Sequence, residues 1–126
     1  MNERLDKLAA AGIEVIAVSA DTQDVAEKFV ADKAVKFPIA FGLTVPAIRA
    51  LGLYVSSPTN YISQTQQFSE PAFFLLTPDN KIKYAAVASF PMGGRVDVDT
   101  LLAGFNWSLA NAKEHPEFAS VVWGSA

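Results

Sequence analysis

Residues 72–88 read Ala72-Phe73-Phe74-Leu75-Leu76-Thr77-Pro78-Asp79-Asn80-Lys81-Ile82-Lys83-Tyr84-Ala85-Ala86-Val87-Ala88. An apolar run, a Pro-Asp-Asn-Lys punctuation and a second run rich in branched and aromatic side chains predict two strands joined by a turn. So short a connection allows only an antiparallel pair, since a parallel return needs a crossover of about a dozen residues or more. Downstream, Gly93-Gly94 breaks the chain, and Asp97 or Asp99 can cap a helix whose buried face holds Val98, Leu101, Leu102, Phe105 and Leu109. A hairpin followed by a helix predicts the closing half of an α/β domain.

Upstream, Leu5, Leu8 and Ala9 share a helical face that stops at Gly12, a residue suited to a left-handed cap. Ile13-Glu14-Val15-Ile16-Ala17-Val18-Ser19 is β-branched and nearly all apolar, which predicts a strand covered on both faces. Asp21 and Thr22 are cap candidates for a second helix with Val25, Phe29 and Val30 at helical spacing. Phe37-Pro38-Ile39-Ala40-Phe41 fits a short edge strand, where a proline that cannot donate to a ladder is tolerated. Val45, Ile48, Arg49 and Leu51, with Pro46 early and Gly52 after, predict a short third helix. From Tyr54 to Ser69 the chain turns polar without a period, which predicts a long loop of the kind that tends to be functional or mobile. The tail from Lys113 to Ala126 is too apolar to read as disordered.

With 126 residues, 51% hydrophobic and 18% charged, the chain fits a single domain, 1–126, with one core. A core of this size buries about two-thirds of the unfolded chain's surface. No window approaches the ~18 apolar residues of a membrane helix, and Met1-Asn2-Glu3-Arg4 lacks signal-peptide order, so a cytoplasmic protein is expected. Scattered Lys and Arg under a net charge of -3 argue against a nucleic-acid groove or a membrane-surface helix. The cysteine count of 0 removes disulfides, thiolate catalysis and zinc-thiolate sites from these residues. With His115 as the only histidine, neither a metal site nor another cofactor is expected.

Three ordered segments carry a family resemblance over roughly Leu5 to Leu109. They are Gly12-Ile13-Glu14-Val15-Ile16-Ala17-Val18-Ser19-Ala20-Asp21, then Phe37-Pro38-Ile39 with Ala50-Leu51-Gly52-Leu53, then Ser69 through Tyr84 with its Glu70-Pro71 opening. Together they resemble peroxiredoxin-like proteins of the alkyl hydroperoxide reductase/thiol-specific antioxidant (redoxin) family. The resemblance implies an incomplete thioredoxin-like fold: a mixed β-sheet flanked by helices, with a C-terminal antiparallel hairpin and a closing helix. It links the chain to thiol-dependent hydroperoxide reduction. The family's reactive cysteine sits at the start of the first helix, after a central strand. Here the text begins within that helix, and neither cysteine nor strand has a counterpart. No catalytic residue is therefore carried over. Arg49 and Arg95 do not stand at the family's arginine position, where Glu70-Pro71 is found instead.

Three residues are candidates for a substrate-facing edge: Asp21, Glu70 and Pro71. The resemblance implies a cis bond before Pro71, against the plainer reading of a trans proline opening a strand. Glu70 reads as a solvated loop carboxylate, and Asp21, placed where open α/β sheets hold ligand crevices, serves more simply as a helix cap. His115 before Pro116 reads as a C-terminal capping residue and Gly93-Gly94-Arg95 as a plain turn rather than an anion nest. Tyr54, Tyr61, Phe68, Phe90, Met92, Trp107 and Trp123 include candidates for a contact patch.

The resemblance places the absent strand between Ile13–Ser19 and Ala72–Thr77. Without it these two strands pair directly, or a second copy covers them, or another polypeptide supplies the missing element. Self-association, most simply a homodimer, is expected, because unpaired apolar edges recruit other chains. Two functional classes follow: a cysteine-less relative of a thiol peroxidase that does no thiol chemistry alone, or a non-catalytic binding or assembly module built on the scaffold.

Overall fold

In the computed structural model, which describes residues 1–60, 65–93 and 95–116, Gly12 ends the first helix as its sequence position predicts. Its φ is +73°, and beyond it the Ile13 N–H returns to the Leu8 carbonyl at 2.9 Å. That left-handed turn is open to glycine at little cost. A 3-10 turn over Asn2–Arg4 leads into α1 (Leu5–Ala10), and the chain then extends toward β1 (Ala17–Val18). α2 (Gln23–Lys33), β2 (Ile39–Ala40), α3 (Val45–Ala50), β3 (Val55–Ser56), β4 (Phe68–Ser69), β5 (Ala72–Leu76), β6 (Ile82–Val87) and α4 (Val98–Asn111) follow.

Among the described residues the strands form three separate pairs rather than one sheet. β1 and β2 are parallel, with Ala17 opposite Ile39. Pro38 takes part through its carbonyl, which accepts the Ala17 N–H at 2.9 Å. β5 and β6 form the expected hairpin, turned by Asn80 at φ +61°. Its register slips between Leu75 and Leu76, since Leu75 faces Tyr84 and Leu76 faces Ile82, leaving Lys83 as the extra residue of a bulge. Of the three outcomes foreseen for the edges of β1 and β5, direct pairing does not occur among the described residues.

This missing ladder corrects the reading of 13–19 as a strand covered on both faces. Only Ala17–Val18 is in register with a partner, and the chain from 13 to 19 alternates half-buried and exposed residues. Ile13, Val15 and Ala17 face inward, whereas Ile16 and Val18 are 67% and 56% exposed. One face has a helix layer against it and the other has little. The predicted face of α2 is corrected for the same reason: Ala26 is its buried residue, and Phe29 stays 50% exposed because the sheet beneath is too narrow to cover it.

The predicted loop from Tyr54 to Ser69 also holds more order than its composition implies. β3 and β4 pair antiparallel at its base, with Val55 opposite Ser69. Two-residue strands of mixed polarity give no detectable period, which is why the sequence hides them. Tyr61 lies outside the described residues, as do Trp123 and the predicted apolar tail beyond residue 116.

The core lies where α1 meets α4. Leu8, Val98 and Leu102 are buried together, with Ala11, Ile13 and Val15 packed against them. Each leucine contributes about 1.5–3 kcal/mol by leaving water. Leu101 and Phe105 are only half-buried and Leu109 is exposed, so the five-residue apolar face predicted for α4 is used only in part. Asp97, the first of the two cap candidates, accepts the Thr100 N–H at 2.7 Å. Asp99 instead clasps α1, receiving Arg4 Nε and Lys7 Nζ at 2.8 Å each. Those bonds, Lys7's first, hold the Asp99 carboxyl below the ordinary carboxylate range. At the far end the His115 N–H closes on the Asn111 carbonyl at 2.8 Å, three residues beyond the Ala112 cap position.

Candidate functional site

The carboxyl end of β1 turns sharply through Ser19, Ala20 and Asp21. Ser19 Oγ donates to Asp21 Oδ2 at 2.7 Å and accepts the Asp21 N–H at 3.1 Å, so the two side chains brace one turn. Thr22, not Asp21, stands at the α2 cap position, and its hydroxyl donates to Asp24 rather than accepting from the helix. That bond is the main reason the Asp24 carboxyl is held below its ordinary value. The chain beyond β2 folds back over the turn, with Gly42 and Leu43 N–H groups on the Asp21 and Ser19 carbonyls at 2.9 and 3.0 Å. A cavity of about 200 Å³ opens here, lined by Val18, Ser19, Asp21, Phe29 and Ile39 among others.

The β3–β4 ribbon reaches the same turn. Gln66 Nε2 donates to the Ala20 carbonyl at 2.8 Å, tying the residues just before β4 to the residue beside Asp21. Beyond β4 comes Glu70, whose N–H donates to the Tyr54 carbonyl at 2.9 Å. The expected solvated carboxylate is in fact 3% exposed. Ser56 Oγ donates to Glu70 Oε1, and Oε2 is buried with no hydrogen-bond partner among the described residues. Such a group costs about 1–3 kcal/mol relative to a satisfied one. Glu70 is buried because the ribbon it follows folds over it, and only an unseen strand pair could have announced that.

The expected cis bond is likewise corrected. No peptide bond among the described residues is cis, so Glu70–Pro71 is trans. Trans is the lower-energy isomer by about 0.5–1 kcal/mol, and Pro71 here extends the hairpin, its carbonyl accepting the Ala88 N–H at 2.9 Å. At the far edge Gly93 closes a turn on the Phe90 carbonyl at 3.1 Å and Arg95 Nη2 reaches the Pro91 carbonyl at 3.3 Å, while Gly94 lies outside the described residues. Of the contact-patch candidates, Tyr54, Phe90, Met92 and Trp107 are exposed and Phe68 is half-buried. Among the described residues no group of His, Asp and Glu is arranged to hold a metal ion, and no helix is long and apolar enough to cross a membrane.

Helix, extended segment and helix, then an irregular middle, a hairpin and a closing helix define an α/β domain of the thioredoxin-like class. The family model described as the AhpC/TSA family matches residues 1–85, and the chain belongs to that family. The fold agrees: a cysteine-to-serine mutant of peroxiredoxin 6 from Arenicola marina superposes with a TM-score of 0.63 at 22% sequence identity. The match covers 89% of this chain and 52% of that one, so the chain spans about half the length of that structure. No curated protein matches the chain.

Sequence reasoning named Asp21, Glu70 and Pro71 but missed Ser56 and Gln66, the side chains that tie the ribbon to them. A serine and a glutamine in a polar stretch carry no signal by themselves. Their roles come from the β3–β4 pairing, which sets Ser56 opposite Phe68, two residues before Glu70.

Proposed function

We propose that these residues provide a peroxiredoxin-like scaffold without thiol chemistry of its own, working as an assembly or binding domain whose unpaired strand edges are covered by association. The absence of cysteine from all 126 residues carries the first half of this reading, since reduction of a hydroperoxide by this family's chemistry needs a sulfur nucleophile. The separation of β1 from β5 supports the second half. Ile16 and Val18 display apolar side chains beside backbone that has no ladder partner on that side among the described residues, and a second copy of the chain is the simplest cover.

In this reading Asp21, Glu70 and Pro71 form the partner-facing edge. Support comes from the Gln66 bond to Ala20, which joins the two segments carrying them, and from the unpartnered Glu70 oxygen, which could accept a donor from a bound group. Two measurements test the proposal. Hydroperoxide consumption with a dithiol reductant is expected to stay at the buffer rate, and turnover by the chain would refute it. Sedimentation velocity at micromolar concentration is expected to show a dimer or larger species, and a well-folded monomer would refute the assembly half.

A further inference from the structure

A second opening lies far along the chain from the Asp21 turn, between the β5–β6 hairpin and α4. It is an open groove of about 550 Å³, within the range of about 300–1,000 Å³ typical of small-molecule sites. Leu75 and Tyr84 form part of its floor on the hairpin. Leu101, Gly104, Phe105 and Ser108 form one stripe of α4 facing it, roughly 100° around the helix from Leu102 in the core. The split explains why Leu101 and Phe105 remain half-buried. They are apolar residues on a face that the hairpin does not close over.

The polar groups of the groove are unequally occupied. Ser108 Oγ donates back to the Gly104 carbonyl at 3.0 Å, and Asp97 Oδ1 is engaged as the helix cap. Asp97 is the one carboxylate in the lining beside the two cations, and neither cation forms an ion pair with it or with another acid among the described residues. Lys83, set at the bulge, forms no ion pair or side-chain hydrogen bond with any described residue. Arg95 spends one donor on the Pro91 carbonyl at 3.3 Å and pairs with no carboxylate among the described residues. An apolar floor with unneutralised cations complements an amphipathic anion: the hydrocarbon replaces water along Leu101 and Phe105, and the head group meets Lys83 and Arg95.

We propose that the groove between the hairpin and α4 binds a small amphipathic carboxylate, with Lys83 and Arg95 holding the head group and Leu101 and Phe105 the chain. This site is independent of the assembly edge at β1.

The probes are octanoate, octan-1-ol and octylammonium, followed by amide chemical shifts and calorimetry on the full chain. Octanoate is expected to bind saturably, one molecule per chain, with shifts gathered at Lys83, Arg95, Leu101 and Phe105. Octylammonium should bind about tenfold more weakly or worse, since a charge-assisted pair becomes a repulsion. The double variant Lys83→Gln/Arg95→Gln should lose a similar factor for octanoate but not for octan-1-ol. A Cβ at Gly104 meets nothing within 4 Å, so Gly104→Leu can fill the groove from the helix side with the fold kept, and it should abolish binding of both. Equal binding of octanoate and octylammonium overturns the proposal. So do shifts centred elsewhere, full octanoate affinity in folded Gly104→Leu, and capture on phosphatidylglycerol vesicles with no binding of octanoate.

Discussion

Ser56 Oγ donates to Glu70 Oε1, and among the described residues this is the one hydrogen bond made by a carboxylate that is 3% exposed. The bond fixes the β3–β4 ribbon over the start of β5. Removing the hydroxyl leaves both Glu70 oxygens buried without a partner, so Ser56→Ala should cost about 1–3 kcal/mol in urea unfolding. On a Glu70→Met background the acceptor is gone, and the same change should cost no more than about 0.5 kcal/mol. Equal costs in the two backgrounds would show that Ser56 acts through packing and not through Glu70.

Ile48 tests how far a short helix anchors the middle of the chain. It is 0% exposed in a six-residue helix capped by Thr44, whose Oγ1 accepts the Ala47 N–H at 3.4 Å. Ile48→Ala should cost about 2–5 kcal/mol, the range for deleting a buried aliphatic side chain. Phe29→Ala removes a larger side chain that is half in water and should cost less than Ile48→Ala. Thermal melts of the two variants decide the order.

The hairpin and the helix boundaries were readable because their signals are local. Pro78-Asp79-Asn80-Lys81 encodes its turn, Gly12 and Gly52 encode their left-handed caps at φ +73° and +71°, and Asp97 encodes its own hydrogen bond. What could not be read depends on residues distant in sequence. Ile16 and Val18 have the composition of covered strand positions, and their exposure follows from how little packs on that face of β1 among the described residues, which no single residue encodes. Glu70 has the composition of a surface residue, and its burial follows from a ribbon whose strands are two residues long. The candidate site was thus legible as a place in the chain, but the role of Glu70 and the trans state of the bond that follows it were not.

The hairpin turn gives a pH dependence of known sign. Hydrogen bonds from Lys81 and Thr77 hold the Asp79 carboxyl at about 2, below its ordinary 3.8. A group whose folded value lies below its unfolded one adds stability that is complete above the unfolded value and lost as pH falls toward the folded one. The Asp79 contribution should therefore be whole above about pH 4 and fade between there and about pH 2. Lys81 is shifted the opposite way, raised by the same pair, so its share is whole at neutral pH and lost only when strong alkali removes its proton. Carboxyl carbon shifts should place the Asp79 midpoint well under the ordinary 3.8. Asp79→Asn should remove the acid loss at the Asn80 amide, and an unchanged acid profile there would refute the assignment.

The edge of β1 provides the sharpest test of assembly. Ala17 and Ser19 donate to the Pro38 and Ala40 carbonyls at 2.9 and 2.8 Å, so alternate backbone groups along this segment point toward β2 and the others away from it. Ile16 makes no backbone hydrogen bond among the described residues, and its side chain is 67% exposed. If a second copy covers this edge, the Ile16 and Val18 amides should exchange slowly at high protein concentration and faster on dilution, as the cover leaves. Ile16→Lys places a charge where natural sheets place one to prevent edge pairing. Because the side chain contributes little to the core within one chain, the variant should keep its folding stability to within about 0.5 kcal/mol. Its sedimentation coefficient should nonetheless fall to that of a monomer. A variant that stays assembled, with exchange at residue 16 independent of concentration, would place the contact between copies on another surface.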